Sequence, residues 1–177
     1  MEEYDLSNLN VLIVDENEHM RALIRTILIE LGIKDVRDTS DSDVAMTLFR
    51  ETTADIVFSD WVPGHNELKF LHQVRDQGTS PNPFVPIIVV SAYSEKPNVL
   101  SARDLGMTEF LATPLSVKKV YQRLCSVITD KRAFIKQDRF FGPDRRRHLS
   151  KEFRGEERRQ QQEAAEAAEA AGTTTAP

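Results

Sequence analysis

Three short runs, Val11-Leu12-Ile13-Val14, Ile56-Val57-Phe58 and Ile87-Ile88-Val89-Val90, are apolar at every position and rich in β-branched side chains. A strand with no polar face needs cover on both sides, which places it in the middle of a parallel sheet. Helix-like periodicity fills the intervals. Met20, Leu23, Ile24, Ile27, Leu28 and Leu31 mark one face, Val44, Leu48 and Phe49 a second, and Leu68, Leu71 and Val74 a third. Val99, Leu100 and Leu105 mark a weaker fourth face. Val117, Val120, Tyr121, Leu124, Val127 and Ile128 mark a fifth, with Ser116 as its N-cap. Shorter strands fit residues 35–39 and 109–113. The expected fold is α/β, a (βα)5 doubly wound parallel sheet over residues 8–130.

Charge divides the chain. Residues 1–130 hold 12 basic and 20 acidic side chains, whereas residues 131–160 hold 11 basic and 5 acidic. A basic arm on an acidic body points to an anionic partner for the arm. Residues 161–177, Gln-rich and then Glu-Ala-Ala repeats, read as a low-complexity mobile tail. The single cysteine, Cys125, excludes an internal disulfide and fits a helix packing role in a reducing compartment. The acidic start lacks a signal-peptide pattern, and no apolar run approaches a membrane span. The expected location is cytoplasmic, with no membrane association. His19, His65, His72 and His148 have no metal-site spacing.

In an open sheet of this kind the site lies at the carboxyl ends of the strands. Reading those ends gives Asp15-Glu16, Asp60, Ser91 and Thr113-Pro114. Three carboxylates on one rim repel unless a hard cation joins them, and Mg²⁺ suits that donor set. Asp60 is then a candidate nucleophile towards phosphorus, with Ser91 on a phosphoryl oxygen.

This constellation resembles the CheY-like receiver domain of bacterial response regulators. The match runs through Val11–Glu16, Asp60-Trp61, Ser91-Ala92 and Phe110. The resemblance implies Asp60 as phosphoacceptor and Asp15, Glu16, Asp60 and the Val62 carbonyl as the metal set. It implies Phe110 as an aromatic switch residue, and a histidine kinase as phosphodonor. It also implies a signalling module rather than an enzyme. Two departures stand out. Thr113 occupies the position of the family lysine and brings no charge to the phosphoryl group. The loop after Asp60 is one residue short, Val62 running straight into Pro63-Gly64.

The arm carries a motif twice. Gly142-Pro143-Asp144-Arg145-Arg146 returns as Gly155-Glu156-Glu157-Arg158-Arg159, each copy following phenylalanine (Phe140-Phe141, then Phe153). Guanine presents N7 and O6 to an arginine fork and N1–H and N2–H₂ to a carboxylate, and its faces stack on guanidinium or phenyl groups. Phosphate takes arginine. Arg139, Asp144, Arg145, Arg146, Arg147, Arg154, Glu156, Glu157, Arg158 and Arg159 contain every such partner. The five acids oppose plain nucleic-acid backbone binding. The fifth helix is expected to reach as far as residue 134. Beyond it the arm reads as a ligand-binding segment, 131–160, disordered when free and ordered on its ligand.

A receiver followed by this arm is similar to the Cle group of CheY-like proteins. That resemblance implies cyclic-di-GMP as ligand, the flagellar motor switch protein as partner, and effects on motility and surface attachment. A phospho-accepting single-domain response regulator is the alternative. The face of fourth helix, fifth strand and fifth helix is the family's usual partner surface, and the arm is expected to dock there.

Overall fold

The computed structural model describes residues 4–63, 68–130, 132–137 and 140–145. Five strands and five helices alternate along most of it: β1 (Asn10–Val14), α1 (Glu18–Glu30), β2 (Asp35–Thr39), α2 (Ser42–Thr52), β3 (Ile56–Asp60), α3 (Leu68–Arg75), β4 (Ile87–Ser91), α4 (Lys96–Asp104), β5 (Glu109–Ala112) and α5 (Val117–Ile128). The strands form one parallel sheet in the order β2-β1-β3-β4-β5. This is the doubly wound α/β arrangement that the apolar runs require.

The period of two along each strand divides the core. Val11 and Ile13, Ile56 and Phe58, Ile88 and Val90 face one side, against Ile24, Ile27 and Leu28 of α1 and Val120, Leu124 and Val127 of α5. Leu12 and Val14, Val57, Ile87 and Val89 face the other, against Ala45, Met46 and Phe49 of α2, Phe70, Leu71 and Val74 of α3, and Ala102 of α4. The helices are fixed at their starts by local chemistry. Asn17 accepts the Met20 N–H, Asp41 accepts those of Asp43 and Val44, and Ser116 accepts that of Lys119.

Two helix faces differ from the sequence reading. In α2 the inward residues are Ala45, Met46 and Phe49, while Val44 is 49% exposed. Small Ala45 lets the helix approach the sheet, and the capping Asp41 fixes the rotation that turns Val44 outward. In α1 Leu23 lies partly outside the apolar stripe, at 44% exposure.

The larger correction concerns the chain after α5. The helix stops at Ile128, with Thr129 as its C-cap, and does not continue to residue 134. Asp130 and Arg132 explain the stop. The Arg132 guanidinium grips the Asp130 carboxylate (2.6 Å), donates to the Thr108 carbonyl (2.8 Å) and lies 3.9 Å from buried Glu109. The Asp130 hydrogen bond, with charge attraction from Asp130 and Glu109, raises the Arg132 pKa against the cost of burial. That clamp turns the chain back across the start of β5.

An antiparallel hairpin follows, β6 (Phe134–Gln137) and β7 (Phe140–Pro143), with Phe134 opposite Pro143 and Gln137 opposite Phe140. The Asp144 N–H closes it on the Ala133 carbonyl (2.8 Å). The first part of the arm is therefore ordered, because its phenylalanines have a docking place that the sequence pattern did not reveal. Phe84, in the α3–β4 loop, meets Phe134 and Phe141 edge-on, both centroids at 5.2 Å. Phe140 is 9% exposed.

Two glycines make the close approach possible. A Cβ on Gly142 would stand 2.7 Å from the Gly106 Cα, and one on Gly106 would stand 2.6 Å from the Phe141 carbonyl oxygen. Gly106 also has φ +94°, a conformation open to glycine.

Arg75 sits beneath this contact, 6% exposed. Nε donates to the Gly106 carbonyl (2.9 Å), and Nη1 to those of Pro83 and Val85 (both 2.7 Å). Its guanidinium lies 5.3 Å from the Phe134 ring centroid. Burial pushes its pKa down to about 9, which leaves it a cation at neutral pH. The compact unit that contains the sheet and hairpin ends at Arg145.

These contacts predict two measurable losses. A chain ending at residue 130 should be less stable than one ending at 145 by about 2 kcal/mol, the scale of one buried phenylalanine. Melting of the shorter chain should come roughly 4–8 °C earlier, and equal melting would refute the docking. Arg75→Met strands three carbonyls and should cost about 3 kcal/mol in urea denaturation.

Candidate functional site

The carboxyl ends of β1 and β3 bring the expected acids to one pocket. Val14, Asp15, Glu16, Ser40, Ser42, Ser59, Asp60 and Phe70 line it. Asp15 is 4% exposed, and its Oδ1 accepts the Asn17 N–H (2.7 Å). Asp60 Oδ1 accepts the Trp61 N–H (2.6 Å). Sequence reading missed the cation beneath the rim. Arg21 donates from Nη1 to the carbonyls of Asp15 (2.7 Å) and Glu16 (3.1 Å), while its Nε meets Asp38 (3.2 Å). It braces the acidic loop from below, and no lysine or arginine is among the residues lining the pocket.

Ser91 stands at the end of β4 and is 3% exposed. Its hydroxyl donates to the Trp61 carbonyl (2.5 Å) and accepts the Tyr93 N–H (3.2 Å). To reach a phosphoryl oxygen, it must release the Trp61 carbonyl. The Thr113 N–H donates to the Ser91 carbonyl (3.1 Å), and a cis peptide bond joins Thr113 to Pro114. Threonine thus stands beside the strand ends where the lysine was missed. The nearby Lys119 ammonium is held on the Pro114 carbonyl (2.9 Å). Phe110 is half-buried against the core on the α2–α3–α4 side. Trp61 is buried in that same core, and its indole N–H has no hydrogen-bond partner among the described residues.

Asp15, Glu16 and Asp60 offer hard oxygen donors to one pocket, which fits Mg²⁺ in kind. Among the described residues no group of three or more His, Cys, Asp or Glu side chains is placed to hold an ion. Mg²⁺ commonly takes one or two carboxylates and fills its remaining positions with water and phosphate, so an all-protein cage is not required. Val62, the expected carbonyl donor, follows Trp61 on the loop that leaves β3 and does not line this pocket.

The arm residues lie elsewhere. Asp144 and Arg145 are at the amino ends of the strands, beyond β7, a full strand length from Asp60. The Arg145 guanidinium lies 4.1 Å from the Phe140 ring centroid and 3.5 Å from Asp104 at the end of α4. The hairpin contacts Gly106, Phe84 and Arg75, with Lys136 on Gln77 (2.9 Å). The docking place is therefore the α3–β4 loop and the α4–β5 turn, not the expected face of α4, β5 and α5. Arg139, Arg146, Arg147, Arg154, Glu156, Glu157, Arg158 and Arg159 lie outside the described residues. No helix of the described residues is long and apolar enough to cross a membrane.

Comparison with known proteins agrees with this geometry. The chemotaxis protein CheY-3 of Vibrio cholerae is 22% identical over 118 residues, covering 66% of this chain and 89% of the relative. The structure of V. cholerae CheY4 superposes with a TM-score of 0.60 at 22% identity, covering 67% of this chain and 98% of that one. The receiver domain of the Arabidopsis thaliana histidine kinase CKI1, solved with Mg²⁺ and BeF₃⁻, superposes at 0.56 with 23% identity, covering 70% and 89%. The model of the response regulator receiver domain matches residues 11–125. With the acidic pocket at the carboxyl ends of a five-stranded parallel sheet, this chain belongs to the response regulator receiver family.

Proposed function

We propose that the protein is a cyclic-di-GMP-responsive signalling adaptor, in which a receiver body carries an acid-and-arginine arm that orders around the dinucleotide. The observation that carries the reading is Arg145. Its guanidinium carbon lies 4.1 Å from the Phe140 ring centroid, with Asp144 beside it in sequence, at the head of the first of two matched motifs. A guanidinium held over an aromatic ring offers a place where a purine can stack in turn. The adjacent carboxylate supplies the acceptor that a guanine edge needs and that phosphate would repel. The second copy, 155–159, matches the second nucleotide of a twofold ligand. The loaded protein would then engage the flagellar motor switch protein, affecting motility and surface attachment. The acids interspersed in the arm weigh against nucleic acid as its partner.

Phosphotransfer to Asp60 is a second reading, favoured by the acidic pocket. Here a carboxylate oxygen of Asp60 forms the new bond to phosphorus. The bond to the donor, a phosphohistidine of a kinase, breaks, and its electron pair leaves with the imidazole. Mg²⁺ would be held by Asp15, Glu16 and Asp60, the acids that line the pocket, and would supply charge neutralisation at the phosphoryl oxygens. Trp61 fixes Asp60 through its N–H, while Ser91 turns from the Trp61 carbonyl to the new oxygen. Thr113 brings no positive charge to that oxygen, so the step is expected to be slow. The two readings are compatible, since Asp144 and Arg145 do not line the pocket that holds Asp60.

Asp144→Ala separates the adaptor reading from a plain cationic tail. Binding of cyclic-di-GMP should weaken while its adenine counterpart is little affected. A tail that merely attracts anions would bind both more tightly after losing an acid. For the second reading, labelling by a small phosphodonor with Mg²⁺ should be slow and vanish in Asp60→Asn. Thr113→Lys should accelerate it by about tenfold or more, the scale of one charged hydrogen bond. Rapid labelling of the unaltered chain would contradict that account.

A further inference from the structure

Arg21 stands behind the acidic pocket without lining it, and it spends its donors on the loop that carries two of the pocket's acids. Nη1 donates to the carbonyls of both Asp15 (2.7 Å) and Glu16 (3.1 Å), while Nε meets Asp38 of β2 (3.2 Å). Its side chain is 16% exposed. We infer that Arg21 is a specificity-determining residue of this pocket, one that makes it take Mg²⁺ in preference to Ca²⁺. The inference rests on the Mg²⁺ role in the phosphotransfer reading and names the residue that selects the ion.

The ligand set is the first argument. Mg²⁺ takes about six oxygens at about 2.1 Å and keeps several waters among them, whereas Ca²⁺ takes roughly six to eight at about 2.4 Å and recruits backbone carbonyls. The carbonyls that adjoin the Asp15 and Glu16 carboxylates are the ones Arg21 holds. An oxygen that already accepts from a guanidinium is a poor metal ligand, because two positive charges would then share it. The pocket is left with carboxylates and water, a set that completes an octahedron and falls short of a calcium shell.

Rigidity is the second argument. Calcium tolerates a flexible site, and magnesium demands near-ideal geometry. The loop is fastened at each step. The Asp15 N–H donates to the Thr39 carbonyl (3.1 Å), the Asn17 N–H to Asp15 Oδ1 (2.7 Å) and the Arg21 N–H to the Asn17 carbonyl (3.0 Å). Arg21 itself is anchored through Asp38, whose other carboxylate oxygen takes Nε and Nη2 of Arg25 (3.2 and 2.8 Å). A loop held in this way resists turning a carbonyl inward to widen the shell. The pocket volume, about 10 Å³, also suits the smaller ion with the shorter bonds.

Equilibrium dialysis of the full chain against magnesium chloride or calcium chloride gives both dissociation constants. The unaltered chain should hold Mg²⁺ about tenfold or more tighter than Ca²⁺, and Arg21→Met, which releases both carbonyls, should lose most of that preference. Arg25→Met, which touches Asp38 and neither carbonyl, should keep it, and an equal loss there overturns the assignment. A chain that binds no Mg²⁺ takes the phosphotransfer reading and this inference down together. If Mg²⁺ binds and Ca²⁺ binds as tightly, the inference alone is overturned. The same holds if Arg21→Met weakens both ions by one factor, the effect of a merely structural arginine. Should Arg21→Met fail to fold, Arg21→Lys replaces it. One ammonium lacks the fork that serves Asp38 and two carbonyls at once, so the preference should again shrink, and an unchanged preference overturns the inference.

Discussion

Burial of both faces of β1, β3 and β4 is the constraint on which the rest of this molecule depends. Once those strands have no polar side, helices must cover them twice over, and the loops at the carboxyl ends become the place where polar side chains gather. Asp15, Asp60 and Ser91 reach one rim because each directly follows, or ends, a strand in register with its neighbour. The pocket is a consequence of the sheet, with Arg21 holding its acidic loop from below.

The opposite end of the sheet is organised by a different interaction. Arg75 collects the carbonyls of Pro83, Val85 and Gly106, groups that would otherwise be buried without donors at the start of β4 and β5. The flat surface so formed, with no side chain on Gly106 or Gly142, admits the hairpin to backbone contact. A receiver body thereby gains a docked hairpin at the amino ends of its strands. Asp144 and Arg145, which follow β7, stand away from the acidic pocket.

Most of the body was legible in the sequence because two periodicities, two and about 3.6, are written plainly in it. Val11–Val14 and Ile87–Val90 have no reading other than a covered strand, and Ser116 announces α5 by its chemistry. The site acids were legible because their place follows from the topology. The hairpin was not, since its partners are remote in sequence. Phe84 and Arg75 lie 50 and 59 residues before Phe134, and nothing local to Phe134–Pro143 tells of a waiting arginine or glycine. Helix extension past Ile128 failed for a similar reason: the Arg132 clamp depends on Thr108 and Glu109.

What joins the two ends into one account is the claim that a guanine dinucleotide organises the arginine motifs. Backbone amide signals of residues 146–160, recorded by nuclear magnetic resonance on the intact chain with saturating cyclic-di-GMP, test it most directly. The account predicts that these signals spread and shift together with those of Asp144 and Arg145, and that the adenine dinucleotide leaves them in place. Signals that stay where they were under saturating cyclic-di-GMP would contradict it.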